Sequence, residues 1–153
     1  EAVGGSGCAL GCDFLDPADT AKCALTESSL GRMPGAGGTL NLPHAVGERR
    51  AREIIYTGVP FSAVEAESWG LVNKVLPKDS LMAETMLVAE KIANNAPISV
   101  KQAKKSISVS MQTDRNVGYM YELEAYNKMI PTNDRQEGVA AFNEKRKPKF
   151  TGT

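Results

Sequence analysis

Residues 34 to 39 read Pro-Gly-Ala-Gly-Gly-Thr, and no strand or long helix can run through them. Gly35, Gly37 and Gly38 open backbone angles closed to other residues and let N–H groups approach a ligand. Pro34 fixes φ on the way in. Thr39 is placed to cap a helix that follows. Upstream lies one carboxylate, Glu27, joined to the turn by a short apolar link through Leu30 and Met33. An acid beside a helix N-terminus can move a proton, and the helix dipole favours negative charge there. The same residues also describe an ordinary Gly-rich loop with a solvated or capping glutamate.

A chain of 153 residues suits one domain with a real core. Its net charge of zero provides no global field toward nucleic acid or an anionic membrane. No apolar run is long enough to span a bilayer. The three cysteines, Cys8, Cys12 and Cys23, are an odd number and fit a reducing compartment better than a disulfide framework. A zinc site is not expected, because the lone His44 stands far from them and has nothing nearby to orient it. The Gly-rich opening, Gly4 to Gly11, lacks the GxGxxG spacing of a dinucleotide fold, and neither glycine cluster continues into Lys-Ser or Lys-Thr as a P-loop does.

Periodicity and capping signals predict the elements. Ala21–Leu25 reads as a short buried strand. Glu48–Tyr56 reads as a helix with Ala51, Ile54 and Ile55 inward, stopped by Gly58. Ser62 and Glu65 form a capping-box pattern for a helix to Trp69, with Gly70 just beyond it. Leu71–Leu76 reads as a strand ending at Pro77. The rest is helical. Asp79 or Ser80 caps a first helix, on which Leu81, Thr85, Val88 and Ile92 share a face. Pro97 starts a second, with a stripe of Val100, Ala103, Ile107 and Met111. Asp114 opens a third with Val117, Met120, Leu123 and Ile130, and Thr132 or Asn133 a fourth that runs to Pro148. Four helices with wide apolar faces need something to cover.

Taken in order, Ala24-Leu-Thr-Glu27, Leu30-Gly31, Pro34 to Thr39, Leu42-Pro43, Gly70-Leu-Val-Asn73, Ala96-Pro97, Glu137-Gly138, Ala141-Phe142 and Glu144-Lys-Arg146 resemble the crotonase family, the enoyl-CoA hydratases and isomerases. The resemblance implies an α/β fold: residues 1–76 as the C-terminal part of a ββα spiral, and residues 77–153 as a helical trimerisation region. It implies an enzyme acting on an acyl-CoA thioester, with no cofactor other than the coenzyme A of the substrate. The reaction implied first is addition of water to an α,β-unsaturated thioester. The alternatives are double-bond isomerisation by a single glutamate and a non-catalytic subunit.

The resemblance also assigns residues. Gly4 matches one of two backbone donors to the thioester oxygen, and the adjacent Gly5 keeps the approach open. The second donor belongs to a segment that the family carries upstream, so the chain is expected to be partial. Losing one such donor costs about 3–4 kcal/mol of transition-state stabilisation. Glu27 matches one of the two glutamates of hydratases; the other belongs three residues after Gly4, where Gly7 stands. Gly5, Gly7, Pro34 and Gly35 are then assigned to the substrate pocket. Phe142 and Lys145 match positions where the last helix of a neighbouring subunit touches the adenine and phosphates of coenzyme A. Partners expected are the acyl-CoA substrate and further copies, as a homotrimer or dimer of trimers, in the mitochondrial matrix or cytoplasm. No membrane is expected. Lys101, Lys104, Lys105 and Lys145–Lys149 raise a nucleic-acid role that zero net charge and the lack of interleaved aromatics oppose.

Overall fold

The computed structural model describes residues 5–153 as a mostly helical α/β chain. The expectation for Gly4 lies outside those residues. Two compact units are formed, Glu1–Thr85 and Met86–Thr153. No helix among the described residues is long and apolar enough to cross a membrane.

The first unit is built on very little sheet. Strand β1 (Lys22–Cys23) pairs antiparallel with β2 (Phe61–Ser62), Lys22 opposite Ser62 and Cys23 opposite Phe61. The strand expected over Ala21–Leu25 is thus shorter, and its partner at Phe61 carries no signal in the sequence. Leu71–Leu76 is not a strand. Leu76 alone bridges Ala18, its N–H donating to Pro17 O and its carbonyl accepting from Asp19 N. Leu71, Val72 and Leu76 are buried nonetheless, so the apolar run reports burial and not backbone pairing.

Around this ribbon pack α1 (Gly5–Ala9), a 3-10 helix (Glu27–Leu30), α2 (Gly38–Val46), α3 (Glu48–Thr57) and α4 (Ala63–Ser68). Leu25, Leu42, Ile54, Phe61, Ala66 and Leu71 share one core. Trp69 closes its edge, tilted at 51° against Phe61 and covered by the guanidinium of Arg50 at 4.6 Å. Helix α3 ends where Gly58 takes the left-handed conformation, at φ 61°, as its sequence predicts. Helix α4 has its full capping box: Glu65 N–H donates to Ser62 Oγ, and Ser62 N–H to Glu65 Oε2. That exchange, and first the backbone hydrogen bond, holds the Glu65 carboxyl below its ordinary range. Thr39 does not cap α2. It sits inside the helix, and Gly37 at φ 82° is the cap residue, without a side-chain hydrogen bond.

A 3-10 turn at Lys78–Ser80 runs into α5 (Leu81–Ala93), so Asp79 and Ser80 lie within a turn. Helix α5 crosses the boundary between the units. In the second unit α6 (Pro97–Ser110) packs on α7 (Arg115–Met129). Asp114 caps α7, its carboxylate accepting from Asn116 and Val117 N–H. The expected stripe on α7 is largely in water: Met120 is 73% and Leu123 62% exposed.

Helix α8 (Asn133–Asn143), capped by Thr132, stops five residues before Pro148. Lys145 N–H donates to Phe142 O and Arg146 N–H to Ala141 O, the crossed pair that closes a helix through a left-handed residue. Lys145 is that residue, at φ 56° where glycine is usual, which costs about 1–2 kcal/mol. The tail then folds back along α8. Arg146 grips Glu137 with two parallel hydrogen bonds of 2.7 and 2.8 Å, and Lys149 N–H donates to the same carboxylate. One turn lower, buried Asp134 accepts from Thr151 and Gly152 N–H and donates its own N–H to Thr153 O.

The clasp has a pH signature. The Arg146 guanidinium, then the Lys149 amide, hold the Glu137 carboxyl at about 2, against an ordinary 4.5. The folded value lies below the unfolded one, so this stabilisation is complete above about pH 4.5 and is lost as pH falls toward 2. A quarter of the Glu137 side chain faces water, and solvent screens the pair. The melting-temperature gap between the native chain and Glu137→Gln is therefore expected to stay constant from about pH 8 to pH 5 and to close below. A gap that closes on raising the pH contradicts this account.

Candidate active site

Glu27 opens the 3-10 helix directly after the core residue Leu25 and Thr26. The turn is tied down by its own backbone. Ser29 N–H and Oγ both donate to Thr26 O, and Arg32 N–H donates to Glu27 O. Gly31, at φ 68°, ends it. Helix α3 packs on this turn, and the Gly58 that closes α3 stands against it: a β-carbon there would lie 3.5 Å from Thr26 Cα.

The carboxylate itself is held differently. Oε2 of Glu27 is shut away from solvent and accepts no hydrogen bond. A buried polar atom left unpaired costs about 1–3 kcal/mol, so folded proteins keep few of them. Functional sites are one place where they persist, because a reacting partner completes the set. This is the feature that makes Glu27 a candidate acid or base, and only the folded chain reveals it.

The Gly-rich turn packs against the same segment. Pro34 is fully buried. A β-carbon on Gly38 would lie 3.1 Å from both Leu25 Cδ2 and Pro34 Cβ, so a side chain there would force those neighbours to give by a few tenths of an ångström. Gly35 is exposed and its carbonyl accepts from Gly38 N–H. Ala36, at φ 50°, is the other non-glycine with a positive φ among the described residues. No side chain caps α2; the Gly38 N–H donates to Gly35 O, and those of Leu40 and Asn41 donate to Gly37 O.

Gly5 and Gly7 lie in α1, which packs on α2. Gly7 is in ordinary helical conformation, so a side chain there meets no left-handed strain. What it meets is the turn: a β-carbon would stand 3.2 Å from Gly35 O and 3.4 Å from Ala36 Cβ. The structure thus brings Gly7, Pro34, Gly35 and the backbone leading to Glu27 into one contiguous set of contacts.

Phe142 and Lys145 belong to the second unit, at the end of α8. Phe142 is 84% exposed, the most exposed of the large apolar side chains among the described residues. Lys145 is exposed, and its backbone N–H bonds to the Phe142 carbonyl. His44 is exposed in the last turn of α2. The clasp residues Glu137 and Arg146 stand out in the sequence only as family matches, and Asp134 only by its i, i+3 spacing to Glu137.

The profile of the enoyl-CoA hydratase/isomerase family matches residues 2–153. The crystal structure of an enoyl-CoA hydratase from Bacillus anthracis superposes with a TM-score of 0.96 at 47% identity, over 98% of this chain and 58% of that one. YngF of Bacillus subtilis is 42% identical over 149 residues, which is 97% of this chain and 57% of YngF. The mouse enoyl-CoA hydratase domain-containing protein 2, mitochondrial, is 39% identical over 97% of this chain and 52% of its own length. The chain therefore spans a little over half the length of the relatives it matches.

Proposed function

The chain belongs to the enoyl-CoA hydratase/isomerase family, and from that premise we propose that it serves a site adding water to α,β-unsaturated acyl-CoA thioesters. The observation that carries this reading is the buried, unpartnered Oε2 of Glu27. A carboxylate oxygen with no protein donor is free for water or for a substrate C–H. In the reaction, water oxygen bonds to the β-carbon and the double-bond electrons shift onto the thioester oxygen. The resulting enolate-like anion takes a proton at the α-carbon. Glu27 accepts the proton from water and returns one to carbon. Backbone N–H groups, Gly4 among them, hold the oxygen while it is charged. Coenzyme A enters as part of the substrate.

One observation favours double-bond isomerisation as a second reading. Gly7 carries no acid where hydratases of the family have their second one, and the turn at Gly35 crowds its β-position. A single glutamate suffices to carry one proton between two carbons of the same substrate.

Residues 1–76 would complete a ββα spiral, and the helices from 77 onward would assemble a trimer or dimer of trimers. The exposed apolar stripe of α7 supports the assembly. Phe142 and Lys145 would reach the adenine and phosphates of coenzyme A held by an adjacent copy, a ring face and an ammonium being suited to both. The compartment would be mitochondrial or cytoplasmic, as the names of the mouse and Arabidopsis thaliana relatives include "mitochondrial".

Three outcomes are expected. Glu27→Gln in the full-length protein lowers crotonyl-CoA turnover at least ~100-fold while thioester affinity is kept, since the amide cannot exchange the proton; unchanged turnover removes Glu27 from the mechanism. Gly7→Glu raises hydration, and Gly7→Gln, with a similar steric load and no acid, does not. If neither changes hydration and both fold, position 7 is not the missing acid and isomerisation becomes the better reading. Met120→Glu with Leu123→Glu dissociates the oligomer in light scattering; a native protein that is already a monodisperse monomer contradicts the assembly.

A further inference from the structure

The turn after α8 places its charges selectively. Of the basic residues from 145 to 149, Arg146 is consumed: its guanidinium makes the two-pronged grip on Glu137 and a further contact with Glu144. Lys145, one residue earlier, has an exposed side chain with no partner among the described residues, and it stands at the apex of the turn. Its left-handed conformation is one that lysine does not choose for itself. Something outside the residue must hold it. The crossed backbone pair from Lys145 and Arg146 does so, and the Arg146–Glu137 fork anchors it from the adjacent residue, its two parallel bonds adding geometric specificity. The Lys149 amide closes the loop on the same carboxylate, so residues 146 to 149 form a short ring resting on Glu137.

We propose that Glu137, acting through Arg146, is a positioning residue that fixes Lys145 beside Phe142 so that the pair meets an anionic group carried on a flat ring. Glu137 touches no ligand itself. It holds the backbone from which the lysine springs, and it neutralises Arg146 so that Lys145 presents the charge. The inference rests on the reading that Phe142 and Lys145 contact the nucleotide of coenzyme A, and its test separates the two.

Butyryl-CoA and butyryl-pantetheine share an acyl arm that cannot be hydrated and differ only in the nucleotide. Their dissociation constants are to be measured by calorimetry on the full-length protein. Glu137→Gln is expected to weaken butyryl-CoA by roughly five- to tenfold and to leave butyryl-pantetheine unchanged, as is Lys145→Ala. Because both act at one contact, the double variant is expected to be no weaker than Lys145→Ala alone. If Lys145→Ala weakens butyryl-CoA and Glu137→Gln does not, the positioning role is wrong while the nucleotide contact stands. If Lys145→Ala changes neither ligand, the nucleotide reading itself falls and takes the inference with it. If Glu137→Gln weakens both ligands equally, its role is general stability and the inference is overturned. Should Glu137→Gln fail to fold, Arg146→Lys keeps the charge, breaks the two-pronged geometry and is read by the same comparison.

Discussion

The first unit depends on a missing atom. A β-carbon at residue 38 would stand 3.1 Å from the Leu25 side chain and from the Pro34 ring, closer than side chains pack. Glycine lets α2 begin there without displacing either neighbour. Once it does, Leu42 drops out of solvent entirely and joins Leu25, Ile54, Phe61 and Leu71. Each such leucine contributes about 1.5–3 kcal/mol by leaving water. Glu27 follows Leu25 by two residues, so its backbone inherits the position of the core. That is how the chain tolerates a carboxylate oxygen with no hydrogen bond: the cost of roughly 1–3 kcal/mol is offset by apolar burial next door.

The same turn is held from its other side. Gly7 brings α1 within contact of Gly35 and Ala36, and Ala36 sits at φ 50°, where a β-carbon is disfavoured. A loop gripped on two faces and kept at unfavoured angles is pre-set. Its backbone groups need not be ordered when a ligand arrives, and that saves association entropy. It also explains why side-chain capping of α2 is dispensable: packing, and the Gly38 N–H bond to Gly35 O, fix the start of the helix.

Much of the helical pattern is legible in the order of residues alone. The capping box at Ser62, the Asp114 and Thr132 caps, Pro97 and the stop at Gly58 are local chemistry, and each stands where the sequence puts it. What the pattern misses is non-local. Phe61–Ser62 is a strand only because Lys22–Cys23 passes beside it, and Leu71–Leu76 is buried without being one because its pairing is limited to the bridge of Leu76 with Ala18 and the bonds of Asn73 to Leu15. Thr39 loses its capping place to tight packing at Gly38, which no spacing rule contains. Helix α8 is shorter than its pattern suggests: Pro148 disfavours helix at Lys147 and has no N–H for the Glu144 carbonyl, and the chain turns at Lys145 with Arg146 reaching back to Glu137. At the site, Glu27 is singled out by its place ahead of the Gly-rich turn and by the resemblance. Its orphaned oxygen is a property of the folded chain.

The two units therefore hold these segments by different physics. Near Glu27 the constraints are steric and apolar, indifferent to salt and to most pH values. At the end of α8 they are carboxylates: Asp134 takes the last amides of the tail, and Glu137 takes Arg146 and Lys149. Ion pairs with a quarter or more of their surface in water are screened by salt, so this end softens under conditions that leave the first unit intact. Phe142 and Lys145 both lie exposed at this end, one on the last turn of α8 and one in the turn that follows it. The polar clasp holds the backbone beneath them and leaves both side chains in solvent, so their placement depends on carboxylates and not on apolar packing.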